Sequence, residues 1–218
     1  MKKEIEKKED LNKIYNELKD KNIKNIICYG LGHLGSCKVS QAQTSLLLIL
    51  KDFLNVSVEI YDPLFNYTDL KLCLNFDFKV ISHNELGKRS VNETTLFYMP
   101  HCGTPLYNNL LWANWNPENL VNCIIIGNCL DHLLVNRSSK LIDKYFKFMK
   151  LALPLCSQVF FDKLKVFDDY NVFSSQSLIM FNVENAGKSI WEYNVEPNYE
   201  NLDAEIITDE IKNNLLIE

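Results

Sequence analysis

Gly30-Leu31-Gly32-His33-Leu34-Gly35 follows an apolar run and precedes a long segment rich in Leu and Ile. Glycines at this spacing permit a tight turn and let backbone approach a phosphate at a helix N-terminus. Gly30, Gly32 and Gly35 are therefore candidate contacts for a nucleotide or an S-adenosylmethionine-like ligand. Asp62 closes the next apolar run, where a carboxylate can accept from ribose hydroxyls. Lys88 and Arg89 stand together in a polar stretch and offer a cationic clamp for phosphate or carboxylate. His101 follows a Met-Pro step and is the candidate proton-transfer group, because imidazole titrates near neutrality. Asn128, in the turn after a further apolar run, completes the ligand-side candidates.

Each of these has a plainer structural reading as well. They are an unliganded turn, a histidine bonded to its neighbouring loop, and a solvated basic pair. Trp112 and Trp115 read as helix-packing residues. His101 and Cys102 with Cys129 and His132 form an HC…CxxH set. Adjacent residues seldom converge on one ion, so no metal site is expected. No Ser–His–Asp signature, P-loop or HExxH motif occurs.

Bringing the candidates together requires a sheet. Residues 25–29, 56–61, 78–82, 96–99 and 122–127 are short apolar runs, each ending at a polar, proline or glycine turn. Between them, helices are expected at 37–53, at 69–74 and from Thr104-Pro105 onward through Trp115, where the hydroxyl caps and proline takes the first turn. A further helix is expected at 141–153, strands of a more antiparallel end at 157–161 and 177–181, and a last helix at 204–216. Alternation of this kind predicts an α/β fold, a Rossmann-like three-layer sandwich with a mainly parallel sheet of about five to seven strands. A surface helix within residues 1–22, a domain over 23–183 and an acidic tail over 184–218 make up the expected organisation. In a parallel sheet the turns at Gly30, Asp62, Pro100 and Gly127 share one edge, where ligands bind.

At 218 residues, the chain suits one such domain, and its net charge of −5 argues against a general nucleic-acid surface. The seven cysteines are odd in number and contain no CxxC, the pattern of reduced thiols inside the cell. The start MKKEIEKKED has no apolar core, and the run Leu46–Leu50 is far too short for a bilayer. The expected location is cytoplasmic and nuclear, without membrane contact.

Six blocks then occur in order: YGLG at Tyr29, YDPLF at Tyr61, GKRSV at Gly87, MPHC at Met99, LYNNLLWANW at Leu106 and IGN at Ile126. Together, over roughly residues 24–135, they closely resemble the Sensitivity to Red Light Reduced family. The resemblance implies a Rossmann-like protein of cytoplasm and nucleus, with plant, fungal and animal relatives linked to circadian clock input and to regulation of haem biosynthesis. It supplies no catalytic mechanism. The function expected is that of a regulatory protein working through protein partners, with a small ligand at the strand edge. One alternative is an adenosyl-cofactor transferase using Gly30, Gly32 and Asp62 with His101. Another is a non-catalytic interaction module.

Overall fold

A computed structural model of the protein describes residues 11–161, 172–200 and 202. Its frame is a seven-stranded sheet, ordered β3-β2-β1-β4-β5-β7-β6. The strands are β1 (Asn25–Tyr29), β2 (Ser57–Tyr61), β3 (Phe78–Val80), β4 (Thr95–Met99), β5 (Cys123–Asn128), β6 (Cys156–Phe160) and β7 (Gln176–Phe181). The first five run parallel, whereas β7 is antiparallel to both β5 and β6, as the sequence predicts.

The central strands are apolar without interruption because helices cover both faces. Alternate residues feed two separate cores. Ile26, Cys28, Leu96 and Tyr98 pack against α1 (residues 11–18) and α2 (Lys38–Leu54), through Ile14, Leu18, Leu46, Leu47 and Leu50; Cys73 of α3 (Tyr67–Asn75) lies in the same core. Ile27, Tyr29, Phe97 and Met99 face the other way, onto α4 (Thr104–Ala113) and the helices that follow. The result is the expected three-layer sandwich.

The helices diverge more from expectation than the strands do. Thr104 does not cap α4: Gly103 is its N-cap, and the Thr104 hydroxyl accepts from Arg137 at 3.0 Å. The same helix stops at Ala113, before Trp115, because the Asn114 amide turns back onto Leu110 O and across to Arg89 O. The single helix expected at 141–153 is two, α7 (Ser139–Tyr145) and α8 (Lys147–Ala152). Phe146 leaves helical geometry between them, and its ring is fully buried under the Arg137 guanidinium. Short helices α5 (Pro117–Leu120) and α6 (Leu130–Val135) were not expected. The described part of the C-terminal segment packs on the second core, with Trp191 against Trp115 and Tyr199 against Phe146. The helix expected at 204–216 lies outside the described residues. Among the described residues no helix is long and apolar enough to cross a membrane.

Strand order sets where a ligand can sit. From β1 the chain winds outward to β2 and β3, then crosses back to β4 on the other side of β1. Connections leaving β1 and β4 therefore part in opposite directions, opening a crevice at the C-terminal ends of those two strands.

Candidate functional site

A cavity of about 500 Å³ occupies that crevice, within the usual size range for small-molecule sites. The loop after β1 forms one wall. Gly30 has φ +74° and Gly32 φ +68°, the left-handed region that favours glycine. A Cβ on Gly30 would also stand 2.6 Å from Cys102 Sγ. The Cys102 thiol donates to Tyr29 O at 3.3 Å, so the glycine loop is joined to the turn after β4.

Two carboxylates hold the loop from the opposite side. Asp62 accepts from Gly32 N–H at 2.6 Å and from Leu64 N–H at 2.8 Å, and is almost fully buried. Burial pushes its pKa up and outweighs the two amide donors. Asp69 accepts from Gly35 N–H at 3.1 Å and pairs with His33 Nδ1 at 2.9 Å. It also closes a capping box with Asn66 at the start of α3. Burial raises the Asp69 pKa, but His33 and the amide donors from Asn66 and Gly35 together bring it below the ordinary value.

His101 sits in the turn after β4 with φ +56°, an unusual conformation for a residue with a side chain. Its Nε2 lies 2.7 Å from Val172 O, and a carbonyl only accepts, so Nε2 carries the proton. Nδ1 faces the Gln176 amide at 3.4 Å. Gln176 donates in turn to Asn128 Oδ1 at 2.5 Å, and Asn128 Nδ2 to Cys102 O at 2.9 Å. Underneath, Tyr107 Oη donates to Met99 O at 2.5 Å and accepts from Asn128 N–H at 2.8 Å.

Of the sequence candidates, Gly30, Gly32, Asp62 and His101 line the cavity. Gly35 is not among the lining residues, since its N–H is turned to Asp69. Asn128 braces the turn after β4 from below. Lys88 and Arg89 are not brought to the cavity either. Lys88 pairs with Glu196 at 2.5 Å above the Trp112 ring, and Arg89 with Glu85 at 2.8 Å and Glu59 at 3.1 Å. Their charges satisfy carboxylates, one of which, Glu85, also accepts from the Tyr29 hydroxyl. Of the HC…CxxH residues, His132 lies against the Phe160 ring.

Sequence reasoning missed Gln43, Ser40 and Cys37, which line the cavity from the N-cap and first two turns of α2. A signal for Gln43 exists, for it occupies the apolar stripe that continues through Leu47 and Leu50. Asp69 was also legible, because Asn-x-x-Asp ahead of an apolar run is a capping pattern.

Cys37, the N-cap residue of α2, is exposed, whereas Cys28, Cys73, Cys102, Cys123 and Cys129 are buried. The Ser40 N–H stabilises its thiolate and lowers its pKa, while burial raises those of Cys28, Cys102 and Cys123. Iodoacetamide at neutral pH should alkylate Cys37 first, as read by peptide mass spectrometry; equal early labelling of any buried cysteine would contradict this placement.

A family model described as the SRR1 domain matches residues 1–180. Over 106 residues the chain is 45% identical to an SRR1-like protein of Mus musculus, covering 47% of this chain and 43% of that protein. It is 33% identical over 106 residues to Protein SENSITIVITY TO RED LIGHT REDUCED 1 of Arabidopsis thaliana, covering 47% of this chain and 38% of that one. An SRR1-like protein of Drosophila melanogaster is 32% identical over 114 residues, covering 52% of this chain and 41% of that one. The matched stretch thus spans about two fifths of each of these relatives. No solved structure gives a significant match.

Proposed function

We propose a regulatory role, exercised through a bound small ligand, for this chain, which belongs to the SRR1 domain family. The observation that carries the proposal is the cavity of about 500 Å³ at the strand-order reversal, walled by the glycine loop, Asp62 and the His101 turn. Open α/β sheets bind their ligands at this place. Holding a ligand suits the geometry better than transforming one. His101 has one nitrogen committed to Val172 O, and its other faces the Gln176 amide. The transferase alternative needs that second nitrogen free to take a proton.

The Arabidopsis relative is named for a reduced sensitivity to red light, which is a response and not a reaction. On this reading, ligand occupancy at the cavity is passed to protein partners, and a link to light response or to haem metabolism in this chain runs through them.

Thermal shift with nicotinamide and adenosine cofactors, S-adenosylmethionine and haem tests the ligand clause. A ligand present at a hundredfold excess over its Kd stabilises the native state by about 2.7 kcal/mol, a readily measured rise in Tm. At least one of these ligands should produce such a rise, and a flat response to all of them at millimolar concentration would contradict the proposal.

A further inference from the structure

We propose that the cavity takes a phosphate-free ligand, an uncharged or cationic, hydroxyl-bearing molecule of nucleoside size, refining the small-ligand reading on which it rests. The glycine loop resembles a dinucleotide site in sequence, but the N–H groups of its three glycines are given to Tyr61 O, Asp62 and Asp69. A pyrophosphate would need free N–H groups at the loop that leads into α2. Gly32 N–H is given to Asp62 at 2.6 Å and Gly35 N–H to Asp69 at 3.1 Å, so two of the loop's three glycine amides are held by the chain's own carboxylates. A phosphate entering here would displace Asp62 or lie against it.

Among the described residues, no Lys or Arg lines the cavity to offset that charge. Lys88 and Arg89, the nearest basic pair in sequence to the cavity residue Gly87, are engaged by Glu196, Glu85 and Glu59.

The ligand's polar pattern follows from two side chains. Each Asp62 oxygen accepts one backbone N–H and keeps a second lone pair, so it suits a ligand hydroxyl. Gln43 lines the cavity at 3% exposure, yet its Nε2 has no hydrogen-bond partner among the described residues. A buried amide left unpaired destabilises the empty protein, and a ligand oxygen or ring nitrogen would satisfy it.

The test compares adenosine and S-adenosylmethionine with ATP and NAD+ at equal concentration, by thermal shift and calorimetry on the full chain and on its Gln43→Leu variant. A phosphate-free probe should raise Tm and ATP and NAD+ should not. Gln43→Leu should raise the Tm of the unliganded protein while weakening the bound probe about tenfold. That pairing of opposite signs separates a ligand contact from a packing residue, and unchanged probe affinity in the variant overturns the assignment of the amide. ATP or NAD+ binding as well as the phosphate-free probes overturns this inference and leaves the small-ligand reading standing. If none of the four binds, while haem or another cofactor of the wider panel does, the inference fails alone; if nothing binds, both fail.

Discussion

A Gly127→Ala protein is expected to be about 3 kcal/mol less stable than the parent. Gly127 lies in β5 opposite Met99 of β4, and the added Cβ would meet the Tyr107 hydroxyl, with Met99 O 3.0 Å away. The hydroxyl has nowhere to go. It donates to Met99 O and accepts from Asn128 N–H, bridging the ends of the two strands, and Tyr107 is fully buried. Urea denaturation measures the loss, and a change within about 0.5 kcal/mol would show that the strand ends relax around the methyl group. Tyr107→Phe alone should cost roughly 1–2 kcal/mol by leaving the Asn128 N–H unpaired, since Met99 O keeps its bond from Cys102 N–H. The double variant should be more stable than the sum of the two losses predicts, because Tyr107→Phe removes the atom that the new Cβ strikes. The functional consequence lies one residue further on. Asn128 Nδ2 holds Cys102 O, so displacing Tyr107 loosens the His101–Cys102 wall of the cavity.

The second large effect belongs to Asp69. It is completely buried and accepts from Gly35 N–H, from Asn66 N–H and from the His33 ring, coupling the glycine loop to the start of α3. Asp69→Ala removes all three at once and should cost about 3 kcal/mol, the sum of a lost cap and two unpaired donors. The pH dependence has a definite sign. Burial raises the Asp69 pKa, but its donors outweigh burial and hold it below the ordinary value. A carboxylate depressed in the folded state adds stability that is complete above its unfolded pKa and is lost as pH falls through the folded value. The stability gap between the parent and Asp69→Asn should therefore be full at neutral pH and close below about pH 4. Urea midpoints measured across that range test this, and a gap independent of pH would contradict it.

The strands were legible because their signal is local. Residues 25–29 are an apolar run ending in glycine, and β1 has those bounds. The α2 helix begins and ends within one residue of the expected 37–53. The break at Phe146 was not legible, since the helical spacing of Tyr145, Phe148 and Met149 continues across it. What interrupts the helix is the burial of one ring beneath Arg137, a contact made across the fold.

The cavity divides along the same line. Its glycines and Asp62 could be named from spacing, because turn chemistry depends on immediate neighbours. The use made of them could not. Asp62 meets Gly32 across 30 positions, Asp69 meets Gly35 across 34, and His101 meets Val172 across 71. Nor could the sequence tell that Lys88 and Arg89 serve Glu196, Glu59 and Glu85.

Periodicity and turn residues, read along the chain, determined that this protein is a mainly parallel α/β sandwich with a glycine loop at a strand edge. Only the tertiary structure decided that the Gly32 and Gly35 amides face carboxylates, that the neighbouring cations are neutralised, and that the Gln43 amide is left without a partner among the described residues. The physical reason is that strand and helix propensity act over a few residues. The charge and hydrogen-bonding state of a cavity depends on which distant segments the strand order brings together.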